Sequence, residues 1–241
     1  MSDMQDYDGD IRRLMDAAAR TEIVRAPRQH LHTFGVTKLH YYIVTEPSYR
    51  ELVPGAVEAV IREGDVAAQR PAVVTPTYMA HLEGFGEDAY RYFTDLARKY
   101  GSNSPGLLYQ YANEPGEMSI VEGTAQAVAE RISKQLGQDG NSLAAVIKGV
   151  DELWDVSLLK FIFEYTLASL AGNLGDLQSI RLLDPEPNLG VPRAAVQRID
   201  ALFREAEQGG DPAELKRELD RWELFDYYQD RFLNLFRRKR G

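Results

Sequence analysis

The chain is 241 residues long, 44% hydrophobic and 27% charged, enough for one large domain or a domain with a helical appendage, and it is not a disordered composition. A net charge of −9 opposes generic binding of the body to a phosphate backbone. The absence of cysteine excludes disulfides, thiolate nucleophiles, cysteine-held zinc and iron–sulfur clusters.

The N-terminal stretch MSDMQDYDGDIRR is acidic and has no apolar centre, so it reads as neither a secretory signal nor a transit peptide, and the expected location is the cytoplasm. Asp6, Asp8 and Asp10 alternate as at the start of a calcium loop, but Ile11 and Ala17 stand where such a loop needs Gly and Glu. A helix is expected from about Asp10 to Arg20, with Ile11, Leu14, Met15 and Ala18 on its apolar face. After Pro27, Thr37 to Glu46 (TKLHYYIVTE) is β-branched and aromatic with both faces apolar, which predicts an interior strand.

The runs on either side of Gly64-Asp65 read as a hairpin, Gly64 supplying the positive φ of a two-residue turn; Pro71 lacks a donor, so the return strand is either an edge or stops there. A short helical piece follows Pro76, and a helix is expected over 87–100, stopped by Gly101. Leu107 to Ala112 and Glu117 to Glu122 read as an antiparallel pair joined by a turn at Asn113 to Gly116. A helix is expected from about Thr124 to Leu136. Residues 143–150 (LAAVIKGV) fit a strand or a helical turn, and the reading leans to helix.

Leu153 to Leu174 has its polar and small positions in one stripe, Ser157, Lys160, Glu164, Ala168 and Ala171, and is apolar elsewhere. That pattern predicts a buried central helix. Its longest uncharged run, Tyr165 to Gly175, is shorter than the roughly 20 apolar residues a bilayer requires, so no transmembrane segment is expected. Beyond a linker at Asp184 to Pro187 the chain reads as helical. Asp211, Pro212 and Glu214 take N-cap, first-turn and capping-box positions, and Phe225, Tyr228, Phe232, Leu235 and Phe236 line one side of a last helix. The expected fold is α+β. A small, mostly antiparallel sheet from about residues 36–122 packs against helices in a core domain over 1–183, and a helical extension over 184–241 packs on that core.

His30, His32 and His40 fall within eleven positions. An extended 29–33 would aim His30 and His32 the same way, and a bend at Gly35 would return His40 toward them. Three imidazoles with Glu46 or Glu83 make a candidate site for a divalent transition metal, against the alternative of structural or surface histidines. Glu83, Glu87 and Asp88 are candidates for acid–base chemistry in a loop, whereas Asp151, Glu152 and Asp155 more simply complement a helix dipole. No phosphate-binding loop, dinucleotide fingerprint or nucleophile elbow is present.

The basic end of the last helix, Arg237, Arg238, Lys239 and Arg240, together with Phe232 and Phe236, either docks on the body or binds a partner. The function expected from these signals is that of a cytoplasmic, non-enzymatic protein-interaction or regulatory protein that self-associates through apolar helix faces. A metal-dependent hydrolase or oxygenase built on the histidines, and a small-molecule-binding protein with a pocket between sheet and central helix, are the alternatives. No other cofactor is expected.

Overall fold

The computed structural model describes residues 12–49, 57–80, 94, 98–99, 101 and 104–238, with backbone alone at 80, 237 and 238. Of the helix expected over 87–100, residues 94 and 98–99 are described and are helical. His81, Glu83, Glu87 and Asp88 lie outside the described residues, as do Lys239 and Arg240.

In chain order the first elements are α1 (12–20), β1 (Glu22–Arg25), β2 (Thr37–Glu46), β3 (Glu58–Ala68), β4 (Ala72–Val74), α2 (Pro76–Ala80) and β5 (Gly106–Leu108). β6 (Tyr111–Glu122), α3 (Ala125–Gln138) and β7 (Ala144–Val150) follow, then a 3-10 turn at Asp151–Leu153 leading into α4 (Trp154–Ser179). The last three are α5 (Arg193–Glu207), α6 (Pro212–Arg221) and α7 (Phe225–Arg238). The architecture is the expected α+β.

The chain forms two compact units, Met1–Arg70 with Tyr109–Asn173, and Pro71–Leu108 with Leu174–Gly241. The segment after Pro71 folds with the C-terminal helices because Val74 and Tyr78 complete the apolar core made by Ile199, Phe203, Leu215, Leu219 and Trp222.

The first unit is built on a five-stranded sheet in the order β1-β7-β2-β3-β6. Its pairs are antiparallel except β2 with β7, which run parallel from His40↔Ala144 to Glu46↔Val150. Leu39, Tyr41 and Ile43 of β2, with Val66, Ala145 and Ile147, pack against Leu158, Phe161 and Tyr165 of α4. On the other face Val44, Ala59, Ala144 and Val146 pack against Val128, Ala129 and Leu136 of α3. A strand covered on both faces must be apolar on both, and β2 and β7 are.

Three expectations are corrected here. Residues 144–150 form a strand, because a short apolar run between two helical layers satisfies its backbone in the sheet. The sheet thus reaches beyond 36–122 to take in β1 and β7. Gly64-Asp65 is no turn but lies within β3, and Asn113 to Gly116 lies within β6. A register shift between Arg62 and Gly64 marks a bulge where the two meet, so these glycines serve close strand approach, and no chain reversal occurs there.

In the second unit β4 and β5 pair antiparallel beside the helical core. Asp211 caps α6 as expected, accepting from the Ala213 amide at 2.9 Å, while Glu214 turns to Arg198 at 2.5 Å. Among the described residues no helix is long and apolar enough to cross a membrane.

Candidate functional site

α4 presents three faces, and its side toward the sheet is unusually polar. Ser157, Ser169 and Asn173 are buried there, each with a partner distant in sequence. Ser157 shares a hydrogen bond with Thr21 at 2.8 Å, and Ser169 accepts from the Leu31 amide at 3.1 Å. Asn173 accepts from the Thr33 hydroxyl at 3.2 Å and donates to Tyr109 at 3.0 Å. Thr166 bonds the Tyr111 hydroxyl, and Tyr165 donates to the Gln29 carbonyl. Burial, with Tyr111 nearby, pushes the Tyr165 phenol up to about 12, so it stays neutral and a donor. These bonds fix the 29–33 segment along the helix.

The second face is apolar and open. Leu159, Phe163 and Leu167, four residues apart, are 64%, 63% and 53% exposed, and Val156 and Leu170 continue the stripe half-buried. The third face carries the Lys160–Glu164 pair at 2.8 Å with Ala168 and Ala171. The expectation of a central helix buried on every side but its polar stripe is therefore corrected on this second face. The helix buries Leu158, Phe161 and Tyr165 together with hydroxyls and an amide, while Leu159, Phe163 and Leu167 face out, an apolar stripe on its open side.

A cavity of about 780 Å³ opens at the carboxyl ends of β2 and β7, beside the first turn of α3. Arg20, Glu46, Ser48, Gln126, Lys148 and Asp151 line it. The carboxyl ends of adjacent parallel strands are where open α/β sheets bind ligands. Here the charges are internally matched. Lys148 reaches Glu22 and the Gln126 amide oxygen, both at 2.6 Å.

Asp151 accepts from Arg62 at 2.7 Å, from Thr45 at 2.8 Å and from the Ser48 amide at 3.0 Å. Burial alone would raise the Asp151 carboxyl, but these three donors and the Arg62 charge outweigh it and hold it below the usual carboxylate value. The Arg62 guanidinium also sits 6.0 Å from the Trp154 ring centroid. Asp151 is thus a structural acceptor as well as part of the pocket wall.

The sequence-derived metal ligands do not come together. His30 and His32 are exposed, while the His40 ring contacts Asp65 at 2.9 Å and Glu63 at 3.7 Å and lies edge-on to Tyr42. Among the described residues no three acidic or histidine side chains form a group able to hold a metal. In the last helix Phe232 is buried in the core of the second unit, against Phe225, while Phe236 is exposed; the side chains of Arg237 and Arg238 lie outside the description. The open face of α4 and the strand-end cavity were missed. The first had a signal in Ser169 and Asn173, polar residues four apart on one side of the helix outside its polar stripe; the second depends on a parallel pairing that no local motif announces.

The chain matches no protein-family model, no curated protein and no solved structure.

Proposed function

We propose that the chain is a cytoplasmic, non-enzymatic protein-interaction module that takes a protein partner on the open apolar face of α4. The exposed apolar stripe of that helix, opposite a well-packed inner face, carries the reading. Three large apolar side chains more than half exposed in one stripe leave on the order of 400 Å² of apolar surface, a size that marks interaction sites on otherwise water-soluble proteins. The stripe follows the i, i+4, i+8 spacing by which an apolar helix or groove is met.

The double substitution Leu159→Glu/Phe163→Glu tests it. The variant is expected to melt within about 2 °C of wild type, since exposed side chains contribute little to stability. It is also expected to lose both concentration-dependent self-association in sedimentation velocity and reciprocal pull-down with any partner the wild type holds. An unfolded variant would make the stripe part of the core and end the reading. Assembly equal to wild type would move the interface elsewhere.

A second reading, small-molecule binding, is favoured by the cavity's position at the ends of the parallel strands. A thermal-shift screen of amino acids, nucleotides and sugar phosphates should then find a ligand whose stabilisation disappears in Gln126→Trp, which fills the cavity from α3. Equal stabilisation of that variant would exclude the cavity as the site.

A further inference from the structure

β6 closes one edge of the five-stranded sheet, and its residues from 112 to 120 are exposed without a break. The opposite edge, β1, is four residues long and irregular in register. Two backbone bonds fix which way β6 points. The Gln69 amide donates to Gln110 at 2.9 Å, and the Gly123 amide donates to Val57 at 2.7 Å. In an antiparallel pair, opposed residues that exchange hydrogen bonds alternate with those that do not.

Stepping from the first bond makes Val66↔Asn113 and Gly64↔Pro115 non-bonded pairs; stepping from the second does the same for Glu58↔Glu122, Val60↔Ile120 and Arg62↔Met118. The amides of Met118, Ile120 and Glu122 therefore point away from β3, on the edge of the sheet where no described strand pairs with them. Pro115 falls on an outward position, where its missing donor takes nothing from the ladder.

The same register sorts the side chains. Met118 and Ile120, 63% and 53% exposed, share a face with Tyr111 and Asn113, the face that α4 covers. Glu114 and Glu117 project from the other face. β6 holds no lysine or arginine, and Glu114 is met across the sheet by Lys38 at 3.8 Å. A bulge and Pro115 blunt the first half of this edge, which is how sheets discourage pairing. The stretch from Met118 to Glu122 has neither device and sets two apolar side chains beside outward amides that no described strand pairs with.

We infer that Met118–Glu122 of β6 is a strand-docking edge for an extended segment of a partner protein in which apolar residues alternate with lysine or arginine. Main-chain bonds to Met118, Ile120 and Glu122 add the strand. Its apolar side chains meet Met118 and Ile120, and its cations meet Glu114 and Glu117 across the strand. A second copy of β6 in this position would bring no cation to Glu114 and Glu117, since the strand holds none. The inference is independent of docking on α4.

Fluorescence anisotropy on the full chain tests it with two labelled heptapeptides. One alternates lysine with valine or isoleucine; its twin has glutamate in place of lysine. The lysine peptide should bind about tenfold more tightly than the glutamate peptide, as two or three cross-strand charge pairs imply. Glu114→Lys/Glu117→Lys, at exposed positions, should invert that preference. Ile120→Pro, which removes an outward amide but no ladder bond, should weaken the lysine peptide about tenfold. The Leu159→Glu/Phe163→Glu variant should bind it as wild type does, which separates this edge from the α4 face. If Ile120→Pro fails to fold, the charge reversal alone decides. Absence of saturable binding, equal affinity for the two peptides, or indifference to the reversal overturns the inference. So would a wild-type dimer cross-linked through β6, which would assign the edge to a second copy.

Discussion

Gly64→Ala is expected to destabilise the first unit by about 3 kcal/mol, a drop of roughly 10 °C in Tm, although alanine is the better strand residue by propensity. Gly64 lies in the middle of β3 between two paired strands. A Cβ there would stand 2.6 Å from the Tyr41 hydroxyl oxygen, 2.8 Å from the ring carbon bearing it and 2.7 Å from the Glu114 carbonyl oxygen. None of the three has room to retreat. Tyr41 is fully buried under α4 and donates to Asn113 at 3.1 Å, and the Glu114 carbonyl belongs to the backbone of β6 beside its bulge. Tyr41→Phe removes the nearest of these atoms but leaves the ring carbon and the carbonyl, so the double variant should recover less than half of the loss. Urea unfolding of the three proteins measures this directly. A Gly64→Ala midpoint equal to wild type would show that β3 and β6 part easily at the bulge.

The same glycine shows why part of the fold was legible in the sequence and part was not. Gly-Asp between alternating runs is a turn signal because glycine permits positive φ, but glycine is also what a strand needs where a tyrosine ring and a neighbouring carbonyl close over it. One residue type answers both demands, and only the long-range partner tells them apart. Elements set by local chemistry were readable. β2 followed from its branched and aromatic run, α3 began at Thr124, whose hydroxyl accepts from the Ala127 amide at 3.2 Å, and α6 began at Asp211.

β7 was not readable, since AAVI suits a helix as well as a strand until α3 and α4 are known to cover both its faces. For α4 the sequence located the helix but not its inside. Ser169 and Asn173 look like weak points in an apolar surface until Leu31, Thr33 and Tyr109 arrive to satisfy them. The candidate histidine site failed for a related reason. Proximity in sequence placed three imidazoles within reach, but pairing of β2 with β3 turned His40 toward Asp65.

Arg62→Ala is expected to destabilise the first unit by about 2–4 kcal/mol at neutral pH, since it removes a charge-assisted bond to a largely buried carboxylate and leaves that charge with neutral donors only. The Arg62 and Asp151 side chains are 21% and 14% exposed, so solvent screens the pair weakly. Asp151→Asn should do less harm, because it keeps an acceptor for Thr45 and the Ser48 amide and removes the charge instead of orphaning it.

The two variants also differ in acid. The Asp151 carboxyl is held below its ordinary value in the folded chain, so its contribution is fully present above the ordinary carboxylate range and is lost as pH falls through the folded value. Wild type should therefore outlast Asp151→Asn in urea at pH 7, and the gap should narrow steadily below about pH 4 as the native carboxylate takes up its proton. A gap of the same size at pH 7 and at about pH 2.5 would mean that the shape of the side chain, not its charge, joins the end of β2 to the start of α4.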